Sequence, residues 1–367
     1  MSSYDYMLDA LNLARKGTGQ TSPNPAVGAV IVKDNRIIGQ GFHTWAGLKH
    51  AEILALDEAG RESRGATLYV TFEPCCHTGR TAPCADAIVA AGIAKVVCPM
   101  RDPNPLVAGQ GFQKLIDAGV EVLIDGAYAG AVEKLNAPFV HFMKTGLPLV
   151  TVKSALTLDG KIAAPMSNEG WITSETARAH VQQLRHASDA ILTGIGTVLN
   201  DDCLLTDRSG LPRSRPLLRI VLDSQLRIPL TSKMVAGAAD DLLIVGTSAA
   251  PPERRRMLEE RGVTVLIADG PKGRTEIAVL VKYLAEHQYQ SLMVEAGSKV
   301  NWAFLDSGVA DKIFFYYAPK ILGGLESLPV AGGSGRARRA DAILMERITL
   351  HSISKDEFAV EAYVVKQ

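Results

Sequence analysis

One stretch constrains this chain more than any other. It reads His50-Ala51-Glu52, then Pro74-Cys75, then Cys84. One imidazole and two thiolates fill three corners of a zinc tetrahedron. The fourth corner is left for water, which is how catalytic zinc sites differ from closed structural ones. The ligands sit on separate segments, so the fold must bring a strand end and two helix starts to one place. Residues 67–72 (Thr-Leu-Tyr-Val-Thr-Phe) are β-branched and aromatic, which predicts a strand that delivers Cys75 just past its end. Pro83 opens a predicted helix over 84–91, with Cys84 in its first turn, and His50 precedes another over 51–59. The positive end of the first helix predicts thiolate at Cys84.

The carboxylate completes a chemistry. Zinc-dependent hydrolysis of a ring amine uses a glutamate that is not a ligand to carry the proton from water to the departing amine, and Glu52 takes that position. Zinc lowers the pKa of a bound water toward about 7. The usual signature has two residues between its cysteines. Here residues 76–83 intervene, which brings in Cys76 as a competitor for Cys75. Cys75 is the expected ligand because it directly follows Pro74. Two blander readings stand beside this one: buried thiols packed as small hydrophobes, or a closed zinc site with Cys76 or His77 as fourth ligand. Neither gives Glu52 a task.

The totals exclude several classes. At 367 residues the chain is long for one core, so two domains are expected. Its 39 basic residues balance 39 acidic ones, and its basic clusters, Arg254-Arg255-Arg256 and Arg336 to Arg339, are short. That argues against a nucleic-acid partner held through phosphates. No apolar run approaches the roughly 20 residues of a membrane span, and no charged-then-apolar leader opens the chain. The five cysteines are odd in number and three fall between 75 and 84. This is metal usage in a reducing compartment, so a cytoplasmic location is expected.

Pattern places the elements. A helix is predicted over 5–16, with Met7, Leu8, Leu11 and Ala14 on its apolar face. A Pro-flanked break at 21–25 precedes a buried strand over 26–32 and a hairpin return over 37–41. Strands at 95–99 and 120–124 alternate with a helix at 112–118. From 136 to 148 the pattern weakens, and the domain boundary is placed near 146. The second half reads as strands at 149–154, 190–193, 218–222, 242–245, 263–267, 291–294, 312–318, 348–352 and 359–365. Helices intervene at 176–186, 253–261, 276–286 and 300–307. This is a mostly parallel sheet with an antiparallel end, again α/β. No Gly-x-Gly-x-x-Gly fingerprint follows a strand; Gly194-Ile195-Gly196-Thr197 is shorter. The best phosphate cradle is Glu295-Ala296-Gly297-Ser298, between a strand and a helix start.

Longer motifs carry a resemblance. Residues 21–28 (Thr-Ser-Pro-Asn-Pro-Ala-Val-Gly), Gly41-Phe42-His43, Gly47, residues 73–84 with their Gly79-Arg80-Thr81, and Asp102-Pro103-Asn104-Pro105 with Gly109 and Gly111 resemble the deaminase half of the bifunctional riboflavin-biosynthesis deaminase–reductases. The long spacing between the cysteines is a feature of that family, which usually has Ser where this chain has Cys76. Lys153 with Ser154, residues 158–163, Trp171 to Ser174, Leu184-Arg185, Gly196 to Asp202, Leu205-Thr206, Arg208, residues 221–224, Glu295-Ala296-Gly297 and residues 318–324 resemble its reductase half. The family often has Pro at the positions of Cys203 and Ser298.

The resemblance implies a cytidine-deaminase-like layered α/β/α domain over 1–145 and a dihydrofolate-reductase-like α/β domain over 146–367. It implies zinc on His50, Cys75 and Cys84, with Glu52 catalytic and Asn24 on the substrate. His43, His77 and Arg80 are further candidates near the substrate or its phosphate. It implies NADPH against Ser154, Trp171, Thr197, Asp201, Ser224, Ala296, Gly297 and Ser298. Arg185, Leu205, Arg208 and Glu295 would face the phosphoribosyl substrate, and Lys153 or Glu295 would assist electrostatically. The implied reactions are hydrolytic deamination of a phosphoribosylamino-pyrimidinone and then reduction of its ribosyl chain. The partners are small phosphoribosyl pyrimidines and a second copy of the chain, joined through the reductase domain. Three rivals remain: a nucleic-acid or nucleoside deaminase with an unrelated C-terminal domain, a zinc-stabilised binding protein without activity, and a deaminase with a vestigial reductase.

Overall fold

A computed structural model describes residues 4–45, 48–77, 82–105, 107–166 and 169–366. Gly47 and residues 78–81, Arg80 among them, lie outside the described residues. The chain forms two compact units, Met1–Gly146 with Pro212–Arg215, and Leu147–Leu211 with Pro216–Gln367.

In the first unit, α1 (Tyr6–Lys16) starts where the Asp5 carboxylate accepts from the Leu8 N–H. Met7, Ala10, Leu11 and Ala14 form its buried stripe. Leu8, expected on that stripe, is 40% exposed. It sits about 100° around the helix from Met7, so the i, i+3, i+4, i+7 stripe excludes it. The strands β1 (Gly28–Lys33) and β2 (Arg36–Phe42) pair antiparallel. Asp34 and Asn35, both at positive φ, make the two-residue turn that matches strand twist. Then follow α2 (Ala51–Ala59), β3 (Thr67–Val70), α3 (Cys84–Ala91), β4 (Lys95–Cys98), α4 (Gln110–Asp117) and β5 (Glu121–Ile124). The sheet order is β2-β1-β3-β4-β5, with β3, β4 and β5 parallel. The carboxyl ends of β3 and β4 therefore open on one side, where ligands bind in sheets of this kind.

Gly28 shows how closely α1 lies on the sheet. A Cβ there would meet the Ala10 carbonyl oxygen at 2.0 Å and the Ala14 nitrogen at 2.6 Å. Both are backbone atoms of a helix and have nowhere to go. Gly28→Ala is therefore expected to destabilise the first unit by about 3 kcal/mol. Urea denaturation checks this, and an unchanged midpoint would show that α1 can lift away.

The helix α6 (Ala137–Thr145) occupies the stretch where the sequence pattern weakens, and α5 (Ala129–Leu135) directly precedes it. Pro138 falls in the first turn of α6, where no N–H is needed, and Gly146 closes the helix at φ +72°. What read as punctuation is a start and a stop.

In the second unit the elements are β6 (Leu149–Thr157), β7 (Lys161–Ala163), α7 (Glu175–His186), β8 (Ala190–Gly194), α8 (Ile195–Asp201), β9 (Leu218–Leu222), α9 (Lys233–Ala236), β10 (Leu242–Gly246), α10 (Pro252–Glu259), β11 (Thr264–Ile267), α11 (Ile277–Glu286), β12 (Ser291–Val294), α12 (Ser298–Asp306), β13 (Lys312–Ala318), β14 (Leu328–Pro329), β15 (Met345–Ser352) and β16 (Phe358–Val364). The sheet runs β11-β10-β9-β8-β12-β6-β13-β16-β15. It is parallel through β13, and β16 and β15 add antiparallel strands at one edge. The sequence pattern missed α8, because Gly194 and Gly196 weaken a helix of only seven residues. Among the described residues no helix is long and apolar enough to cross a membrane.

Candidate active sites

The His50, Cys75 and Cys84 side chains converge. Their ligand atoms all lie within 4.8 Å of one another. His50 Nδ1 is 3.6 Å from Cys75 Sγ and 3.3 Å from Cys84 Sγ. A tetrahedral zinc with Zn–S near 2.3 Å and Zn–N near 2.0 Å separates its nitrogen and sulfur ligands by about 3.5 Å. The donor set and its spacing thus fit the ion. Cys76 is not in the cluster; its sulfur lies 4.0 Å from Gln110 Oε1. Cys76→Ser is accordingly expected to keep both metal and deamination, whereas Cys75→Ser loses both. Metal analysis with an ammonia assay checks this, and metal loss in Cys76→Ser would reassign the ligand.

The two thiols share their charge unequally. Hydrogen bonding from Cys84, set against burial and joined by His50, brings Cys75 down to about 4. The hydrogen bond with Cys75, and burial, push Cys84 up from the ordinary thiol value. The sequence predicts thiolate at Cys84 from the helix start alone. The Cys84 backbone N–H at the start of α3 adds to the lowering at Cys75 by donating to its Sγ at 3.3 Å, so the positive helix end also acts on Cys75.

Glu52 is 4% exposed in the first turn of α2, and burial raises its pKa above the ordinary glutamate value. A cavity of about 340 Å³ opens beside it, lined by Asn24, His43, His50, Cys75, His77, Asp102 and Asn104 among others. Burial pushes His43 down to about 4, so its ring is neutral at pH 7. Its Nδ1 faces the Lys49 carbonyl and must carry the proton; Nε2 then accepts from Asn24 Nδ2 at 3.0 Å. This fixes the Asn24 amide, with Oδ1 as the acceptor left for a ligand donor. Burial raises Asp102 to about 7.

Two residues here were not singled out from the sequence. Asn136 exchanges hydrogen bonds with both backbone groups of Ala26, at 2.7 and 3.1 Å, and so holds the Pro-flanked Asn24 loop. Glu73, beside Pro74, accepts four backbone N–H groups. Their partners lie 29 to 110 positions away, and nothing local in the sequence signals them.

In the second unit Glu295 is the centre of a charged cluster. It accepts from Lys153 Nζ at 3.1 Å and from Arg185 Nε and Nη2 at 3.1 and 3.0 Å. Burial opposes its ionisation, yet Lys153 and Arg185 hold it below the ordinary glutamate value. Arg185 also donates to the Thr206 carbonyl, next to Leu205, which is buried at φ +52°. Asn301, also not foreseen, is fully buried and donates to Ser154 Oγ and the Val330 carbonyl, both at 2.9 Å. Its Oδ1 has no partner among the described residues. The Ser298 hydroxyl donates to the Pro329 carbonyl, so only its backbone N–H is left for an anion.

The remaining expected residues are placed by other contacts. Trp171 is 69% exposed under the Arg178 guanidinium, Arg208 is exposed with its N–H on Gln182, and the Ser224 carbonyl receives Thr247. Thr197 and Asp201 lie on α8. A Cβ at Gly196 or Gly297 would meet nothing within 4 Å. The starts of α8 and α12 lie at the carboxyl ends of neighbouring parallel strands, with open space beside Gly196 and Gly297, although Ser298 is buried and Gly194 packs against Val300.

Known proteins cover both halves. Residues 148–356 match the family model described as RibD C-terminal domain, and residues 1–100 match that of the cytidine and deoxycytidylate deaminase zinc-binding region. A C-terminal half unrelated to reductases is thereby set aside. The riboflavin biosynthesis protein RibD of Escherichia coli is 43% identical over 352 residues, covering 92% of this chain and 93% of its own. That of Actinobacillus pleuropneumoniae is 40% identical over 356 residues, covering 97% and 94%. The solved RibD of Acinetobacter baumannii superposes with a TM-score of 0.85 at 38% identity, covering 98% of each chain. A Thermotoga maritima structure described as a diaminohydroxyphosphoribosylaminopyrimidine deaminase/5-amino-6-(5-phosphoribosylamino)uracil reductase gives 0.84 at 36%, with the same coverage. The chain belongs to the RibD family of bifunctional deaminase–reductases of riboflavin biosynthesis.

Proposed function

We propose that residues 1–145 deaminate 2,5-diamino-6-(5-phosphoribosylamino)pyrimidin-4(3H)-one and that residues 146–367 reduce the ribosyl side chain of the product to ribityl. The observation that carries the deaminase assignment is the convergence of His50, Cys75 and Cys84 next to a cavity lined by His50, Cys75 and a buried Glu52. Zinc held by those three residues supplies an acidified water and polarises it. Glu52 takes the proton of the attacking water and returns it to the departing amine. Asn24, its amide fixed by neutral His43, accepts from a ring or exocyclic N–H and orients the pyrimidinone. The buried wall limits competing solvent.

NADPH supplies the hydride for the second reaction. Ser154, Trp171, Thr197, Asp201, Ser224 and the Ala296–Gly297–Ser298 turn would hold it. Arg185, Leu205, Arg208 and Glu295 would place the phosphoribosyl chain. Lys153, beside Glu295, sets a positive potential where negative charge develops. The enzyme works in the cytoplasm, where its thiol ligands stay reduced, as a homodimer through the reductase domain.

The order of the two steps is testable. Given the diamino substrate, the protein is expected to release ammonia with or without NADPH, and to oxidise NADPH only after ammonia appears. NADPH oxidation without ammonia release would overturn the order.

A further inference from the structure

Glu73 is 3% exposed, and both of its oxygens are engaged by backbone. Oε2 accepts from the N–H groups of Asp102 at 3.0 Å and Gly109 at 2.9 Å. Oε1 accepts from Gly111 at 2.9 Å and Phe112 at 3.2 Å. A carboxylate is an acceptor at every lone pair, so it alone among side chains of this size satisfies four converging donors. The glycines permit the approach. Gly109 sits at φ +91°, and a Cβ at Gly111 would meet the Pro74 carbonyl oxygen at 2.0 Å.

The clamp joins two groups of cavity-lining residues. Glu73 leads directly into Pro74-Cys75 on the metal side. The backbone it grips, at Asp102, Gly109, Gly111 and Phe112, lies between the end of β4 and the first turn of α4, beside Asp102 and Asn104, which also line the cavity. The Asp102 N–H is itself one of the four donors, and Asp102 Oδ1 in turn accepts from the Asn104 N–H at 2.8 Å. We infer that Glu73 is a positioning residue for deamination: it sets the Asp102–Asn104 wall at a fixed distance from the metal side and so governs the grip on substrate. Glu73 borders the cavity, but both of its oxygens are taken by backbone N–H groups, so it acts through the segment it holds. The inference rests on the deaminase reading of this cavity.

The test uses the full chain with Glu73→Gln. The amide nitrogen then faces two N–H donors, which breaks about half of the clamp while keeping its shape. Expected are about one zinc per chain, unchanged NADPH-dependent reduction, a deaminase KM raised about tenfold or more, and kcat within about threefold of wild type. Asn104→Ala alone is expected to raise KM, and to add little in the Glu73→Gln background, because both act through one segment. Gly109→Ala supplies a milder variant should Glu73→Gln not fold. It strains the segment side without a clash, its nearest neighbour being Arg101 at 3.9 Å, and the same KM rise with zinc retained is expected. Unchanged KM in these variants, additive effects of the two substitutions, or zinc loss in step with activity would overturn the inference. Absence of zinc-dependent ammonia release in the wild-type protein would instead remove the reading beneath it.

Discussion

Glu52→Gln is expected to lower kcat for deamination by about a thousandfold while zinc stays bound and NADPH-dependent reduction continues. Glutamine keeps the volume and a carbonyl acceptor, so the packing of α2 on the sheet is undisturbed. What it loses is the ability to take a proton and give it back. Glu52 is suited to that exchange by position: it follows His50 by two residues, sits in the first turn of α2 and is almost wholly buried. Burial disfavours its charged form, so a proton taken from water is held long enough to be passed on. Ammonia release and metal content measured on one preparation check the prediction. Wild-type ammonia release would make Glu52 a spectator.

Glu295→Ala is expected to destabilise the second unit by about 3–5 kcal/mol, because it leaves two buried cations without their anion. Lys153 and Arg185 are 6% and 8% exposed, and each points at this carboxylate. Reduction should fall steeply while ammonia release persists. Denaturant titration, followed with both activities, checks this; unchanged stability would mean that the cations find water. The pair also carries a pH dependence. The folded pKa of Glu295 lies below the ordinary glutamate value. Its stabilisation is therefore complete above the unfolded pKa of about 4.3 and is lost as pH falls through the folded value. In Glu295→Gln, which lacks the anion at every pH, acid unfolding of the second unit should begin at higher pH, and its stability should vary less with pH around the folded value.

The two sites were legible to different depths. His50, Glu52, Cys75 and Cys84 stand out because metal chemistry demands particular side chains at short spacing, next to helix starts that sequence pattern locates well. The alternation of strands and helices is strong wherever apolar runs are long, as in β6, β10 and β13. It fails where a helix is short and contains glycine, as α8 does, or where proline and asparagine open a helix, as in α6. Glu73, Asn136 and Asn301 were hidden for a different reason. Each works through backbone partners or side chains distant in sequence, and nothing in residue type separates a clamping carboxylate or amide from a solvated one. The direction of the helix field was also hidden: it required knowing that the Cys84 N–H points at Cys75.

The most direct test of the central claim is ammonia release from the diaminopyrimidinone substrate by zinc-loaded and chelator-stripped protein, with metal content measured on the same samples. Zinc-loaded protein should hold about one ion per chain, and stripping should abolish ammonia release until zinc is restored, with reduction of the deaminated substrate unaffected. Undiminished ammonia release from metal-free protein would contradict the account.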